Sequence, residues 1–134
     1  MRSQHHRWQG MTLVELSVVI IIIGILAAIA IPNMQRTVQQ GYWQQAQYAL
    51  RLIHDGEQRY FDKEGAYKDL SGIGTHWREI YMDDPHLPNI PVNYDVTVIG
   101  DTFTATATNT SAIPNPTMTI NQDGTLNLSG WPQP

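Results

Sequence analysis

Apolar and polar positions divide this chain into three patterns. Residues 11–31, MTLVELSVVIIIIGILAAIAI, are apolar apart from Thr12, Glu15 and Ser17. As a helix they would run about 31 Å, enough to cross the hydrocarbon core of a bilayer. From residue 32 to 64 apolar residues return at helical spacing. Met34, Val38, Tyr42, Ala46, Ala49, Ile53 and Tyr60 form a stripe among glutamines and charges, which predicts an amphipathic helix. Together these segments read as one helix from about Thr12 to Lys63, ended by Glu64-Gly65. The stripe is expected to pack on a sheet. Trp43, Leu50 and Phe61 lie roughly opposite its start, where they serve either a wider core face or contacts with neighbouring molecules. Residues 65–91 lose the period. Gly72, Gly74, Pro85 and Pro88 punctuate a long connection, with room for a helical turn or two at Thr75–Tyr81.

The last third, residues 92–134, alternates with period two. Tyr94, Val96 and Val98 precede Gly100-Asp101, and Phe103, Ala105 and Ala107 follow, interleaved with threonines. A two-residue turn with glycine first pairs Val98 with Phe103, Val96 with Ala105 and Tyr94 with Ala107. All six side chains then lie on one face, as a half-buried sheet requires. A three-residue turn ending at Gly124 likewise pairs Ile120 with Leu126 and Met118 with Leu128. The expected fold class is α+β, a hydrophobic-then-amphipathic helix packed on a four-stranded antiparallel meander and followed by a C-terminal tail.

Composition narrows the function. The chain has 134 residues, net charge -4 and no cysteine. Disulfides, thiolate metal sites and a cysteine nucleophile are excluded, and the charge argues against a nucleic-acid partner. Polar groups with chemistry are few. Asn121, Asp123 and Gly124 hint at a calcium loop but lack its further oxygen ligands, and a turn accounts for them. His76, Asp83, Asp84 and His86 read as solvated loop polarity. His54, Asp55 and Glu57 read as an exposed helix face. Asn109-Thr110-Ser111 and Asn127-Leu128-Ser129 match the glycosylation pattern. No nucleophile, base and orienting group stand together, so the reading is of no enzyme, no cofactor and no metal.

The N-terminus carries the functional signal. Ala27, Ala28 and Ala30 offer a signal-peptide cleavage site, but the apolar run is long for one and ends at Pro32-Asn33. A plain anchor fits the length and leaves Glu15 unexplained, since a carboxylate in lipid is costly without a partner. Arg2 and Arg7 before the run place the N-terminus in the cytoplasm by the positive-inside rule.

Gly10-Met11-Thr12-Leu13-Val14-Glu15-Leu16, with a basic leader before it and a long apolar helix and Pro32 after it, closely resembles the prepilin signature of type IV pilins and of the pseudopilins of type II secretion. The resemblance implies that residues 1–10 are a leader. A prepilin peptidase would cut between Gly10 and Met11 and N-methylate Met11, where family members more often have phenylalanine. Glu15 would pair with the Met11 amino group of a neighbouring subunit, and Gly24 to Pro32 would be a segment able to lose helical order. It further implies a filament-forming subunit whose partners are other copies of itself, the peptidase, and an inner-membrane assembly platform with its ATPase. Such a subunit starts as a single-pass inner-membrane precursor and ends in a surface pilus, or in the periplasm if it is a pseudopilin. Two other classes, a minor tip pilin that binds a target and a membrane-anchored periplasmic enzyme, find less support in the residues.

Overall fold

The computed structural model describes residues 11–112, 114–128 and 131. Helix α1 (Leu13–Glu64) is followed by β1 (Leu70–Ser71), a 3-10 helix (Thr75–Ile80), β2 (Val92–Ile99), β3 (Thr102–Asn109), β4 (Thr117–Asn121) and β5 (Leu126–Asn127). The chain divides between Thr37 and Val38 into two compact units, each described by itself.

In the first unit α1 starts one residue later than the pattern suggests, because Thr12 is its cap. The helix is assigned without a break through Gly24 and Pro32. Its large apolar side chains are all exposed, from Leu13 to Met34.

The second unit holds the core. Ala46, Ala49, Leu50, Ile53 and Gly56 of α1 are buried, a set spaced at three and four residues as one helix face requires. They join Tyr94, Val96, Phe103, Ala105, Ala107, Met118 and Ile120 of the sheet, with Leu70, Trp77, Ile80, Val92 and Trp131 completing the cluster. This corrects the expected stripe. Met34 is 71% exposed and Val38 40%, whereas Leu50 is fully buried. Trp43 packs partly buried against the core, and Phe61 stacks on Tyr67 at 4.6 Å between ring centroids. The buried face is therefore turned toward Leu50, and it begins near Tyr42. Alanines at 46 and 49 of the helix and at 105 and 107 of β3 share that cluster with the rings of Trp77, Tyr94, Phe103 and Trp131.

The sheet is an antiparallel meander in the order β1-β2-β3-β4-β5, five strands rather than four. The β2–β3 register is the expected one, with Val98 opposite Phe103, Val96 opposite Ala105 and Tyr94 opposite Ala107. Gly100 sits at φ +60, so the turn has the positive φ at its first central position that matches sheet twist. Ile120 pairs with Leu126 as expected. The ladder stops at Asn127, so Leu128 packs on the core without pairing to Met118. The additional strand, β1, has only two residues, too few for any alternation to be read. It covers the middle of β2, pairing Leu70 with Val96. On either side of it, side chains take the place of a strand. The Val98 N–H donates to Asp69 Oδ2 at 3.3 Å, and the Tyr94 N–H donates to His86 Nε2 at 3.2 Å. An exposed strand edge is thus closed by a short strand and two acceptors.

Gly56 marks the tightest contact. A Cβ built there would lie 2.6 Å from the Ile80 carbonyl oxygen, while one at Gly41 meets nothing within 4 Å. Gly56→Ala should therefore destabilise the second unit by about 1–3 kcal/mol through overpacking. Gly41→Ala should raise stability by up to about 1 kcal/mol through helix propensity. Thermal or urea unfolding of both variants checks the opposite signs.

Candidate functional site

The candidate site is the N-terminal stretch of α1. Glu15 Oε2 accepts the Thr12 backbone N–H at 2.8 Å and the Thr12 hydroxyl at 2.9 Å. The Glu15 N–H in turn donates to Thr12 Oγ1 at 3.2 Å. This reciprocal arrangement is a capping box, which satisfies helix-start amides that have no carbonyl partner. The negative carboxylate also lies at the positive end of the helix dipole. Ser17 Oγ donates to the Leu13 carbonyl at 2.8 Å. The polar side chains at the start of the apolar run are thus bonded within their own helix, a requirement for a helix in lipid. Thr12 was visible as half of a Thr-x-x-Glu pattern, yet reading Glu15 only as a partner for another molecule passed over it. Gly10 and the leader lie outside the described residues. Met11, Glu15, Gly24 and Pro32 are all described, and each is exposed to solvent.

An anionic group beside the start of an apolar helix can meet a cation offered from outside. The rest of the helix up to Ile31 offers only aliphatic surface. Among the described residues one helix, α1, is long and apolar enough to cross a membrane, by length and composition. Residues 9–31 match the family described as the prokaryotic N-terminal methylation motif. Over 65 residues the chain is 37% identical to the type IV major pilin protein PilA of Myxococcus xanthus. The chain's N-terminal segment thus carries that motif and is similar to a type IV pilin. The aligned stretch covers 48% of the chain and 30% of that pilin's own length. No solved structure matches the chain.

The other candidates in this chain prove to be architectural. His54 Nε2 and Gln58 Nε2 both donate to the Gln122 carbonyl, at 3.1 and 2.9 Å, tying α1 to the β4–β5 turn. Within that turn Asn121 Oδ1 accepts the Thr125 N–H at 2.9 Å, the work of a turn residue. Among the described residues no group of three or more His, Asp or Glu is placed to hold a metal ion.

Asp84 and His86 are bonded to each other and only partly exposed. His86 Nδ1 lies 2.6 Å from Asp84 Oδ1. Because His86 Nε2 accepts the Tyr94 amide, the ring proton must sit on Nδ1 and point at the carboxylate. Asp84 Oδ2 also accepts the Gly74 N–H at 2.8 Å. Burial works to raise the Asp84 pKa, but the N–H groups of His86 and Gly74 outweigh it and hold the carboxyl below its ordinary value. The arrangement has an orienting carboxylate and an imidazole, but Nε2 is already occupied by backbone. His76 stands apart from this pair, its Nε2 buried and unbonded, and Asp83 lies 3.9 Å from Arg78 on the surface. Tyr94 is a neutral packing group, its phenol pushed up to about 12 by burial.

Asn109 is fully buried. Its Nδ2 donates to Gln39 Oε1 at 3.0 Å, and its Oδ1 accepts from the Ser111 N–H and hydroxyl. The amide nitrogen that a sugar would need is therefore sealed in the folded chain. Ser129, which completes the second pattern at Asn127, lies outside the described residues. Glu57 also departs from expectation: it is fully buried beside Gly56, not on an exposed face, because the core face is turned toward it.

The capping box gives a direct test. Thr12→Val should cost the helix start about 1 kcal/mol, raising amide exchange of the first turn roughly fivefold, while Thr12→Ser keeps the wild-type rate. Hydrogen exchange of the full chain in detergent micelles measures both.

Proposed function

We propose that this chain is a structural subunit that polymerises through its N-terminal apolar helix into a type IV pilus-like surface filament. The observation that carries the reading is the motif-matched helix itself. Its aliphatic side chains are exposed throughout, and its first turn presents a carboxylate. The Myxococcus xanthus relative is named a type IV major pilin, which supports the same reading.

On this reading residues 1–10 form a leader cut between Gly10 and Met11, and Met11 is then N-methylated. Residues 11–31 sit in the inner membrane, N-terminus in the cytoplasm, until they pass into the filament core. Residues 32–64, the connection 65–91 and the sheet with its tail, 92–134, form the outer head. A prepilin peptidase, an assembly platform and its ATPase are the partners this route requires. Gly24 and Pro32 mark where the helix can stretch, since one lowers helix propensity and the other removes an amide. The chain acts by assembly and not by catalysis. A pseudopilin in a short periplasmic filament is the second reading, favoured by the same motif, and gene neighbours for a secretion channel or for retraction separate the two.

Glu15 is proposed to meet the Met11 ammonium of an adjacent subunit. A buried carboxylate and a buried ammonium relieve each other's desolvation, whereas a subunit docked at another stagger leaves both unpaired. The capping box sharpens the experiment, because glutamine preserves a capping box and removes only the charge. Glu15→Gln should be processed, inserted and capped, yet give at least tenfold fewer sheared surface fibres. Glu15→Ala should lose both cap and fibres. Fibre yield is compared with membrane-fraction protein on immunoblots. Normal fibres from Glu15→Gln would remove the charge from assembly. A second measurement tests processing: mass spectrometry of the mature protein should find methylated Met11 at the N-terminus, and Gly10→Val should leave the leader attached.

A further inference from the structure

Beyond assembly, the second unit contains a buried acid that the proposed function does not use. Glu57 lies on α1 beside Gly56, where the helix backbone meets the Ile80 carbonyl. The carboxyl group is fully buried. Its Oε2 accepts the backbone N–H of Lys68 at 2.8 Å. Its Oε1 is buried as well and has no hydrogen-bond partner. A carboxylate in that position holds a full charge with one oxygen unmet, whereas a carboxylic acid keeps the Lys68 bond and removes the charge.

Charged neighbours do not rescue the ionised form. The Lys68 ammonium attracts it but is engaged by Glu79 of the 3-10 helix at 2.7 Å. Asp69, the next residue, adds repulsion. Lys68 thus contributes two contacts in two directions: its amide to α1 and its side chain to the 3-10 helix. Tyr67, just before it, packs on Phe103 at 4.8 Å between ring centroids, and Asp69, just after it, holds the edge of β2.

We propose that Glu57 is a proton-operated clasp, closed on the Lys68 amide when neutral and opened when ionised, so that the segment from Tyr67 into β1 loosens as pH rises. Burial pushes the Glu57 carboxyl up from 4.5 to about 7, with the Lys68 amide opposing and Asp69 assisting the shift. The sign follows from linkage. Between pH 4.5 and 7 the folded chain keeps a proton that the unfolded chain has released, so the clasp's contribution is complete below that window and lost across it as pH rises. Asp84, held below its ordinary value, responds in the opposite sense and at lower pH, which separates the two groups experimentally.

The test uses the full chain in detergent micelles. Carbon-13 NMR of the glutamate carboxyls, with Glu57 assigned by its loss in Glu57→Gln, should give a midpoint near 7. Exchange protection of the Lys68 amide, corrected for intrinsic pH dependence and referred to Val96 in β2, should fall at least tenfold between pH 5.5 and 8.5. In Glu57→Gln, which keeps an acceptor for Lys68, that protection should be level across the range. The folding equilibrium of wild type relative to Glu57→Gln should drop roughly a hundredfold from pH 5 to pH 8. A Glu57 midpoint below 5, or Lys68 protection that ignores the midpoint, overturns the clasp. Should Glu57→Gln fail to fold, Glu57→Asp supplies the assignment and the wild-type titration with the Lys68 protection series decides alone.

Discussion

An aliphatic surface that a chain does not cover must be covered by something else. Over residues 11–31 every large apolar side chain is exposed, and water is the one environment in which that surface is unfavourable, at about 25 cal/mol for each square ångström. Lipid and other helices both satisfy it. The first turn determines what else must hold. In either environment a free amide or hydroxyl is a liability of several kcal/mol, and Thr12, Glu15 and Ser17 remove that liability with bonds inside the helix. A single helix end is therefore compatible with both a bilayer and a packed bundle, and only the charge of Glu15 distinguishes one neighbour from another.

The second unit rests on a separate constraint, the closeness of helix and sheet. Ala46, Ala49, Ala105 and Ala107 share one buried cluster with Trp77, Phe103 and Trp131. Small side chains beside large rings are what close packing of a helix on a sheet demands. Gly56 has no side chain because the Ile80 carbonyl of the 3-10 helix lies against it, and Glu57, its neighbour, is carried inside with it.

Much of this was legible in the sequence. Helix limits, the 3-10 segment and the hairpin at Gly100-Asp101 followed from period and turn chemistry, since a shift of one residue would have turned Val96 and Phe103 to the wrong face. What escaped has physical reasons. β1 is too short to alternate. The helix face was misjudged at its ends because Met34 and Val38 obey the same spacing as the core yet belong to the exposed part, while Leu50 was assigned to the far side. Glu57, Asp84 and His86 looked solvated because residue type favours that, and only tertiary contacts with Lys68, Gly74 and Tyr94 reveal otherwise. At the N-terminus, the motif is matched over residues 9–31, and the spacing of Thr12 and Glu15 holds a second meaning that local capping rules supply.

The side-chain closure of the β2 edge has a consequence for variation. Asp69 and His86 hold that edge from either end of the chain that joins them. At the tip, Ile73 is 78% exposed. Its neighbours are not free: the Gly72 carbonyl accepts from the Trp77 indole and the Gly74 N–H donates to Asp84, which orients His86, so the side chain at 73 is the part of this tip that can be exchanged while Trp77 stays seated and the strand edge stays shut.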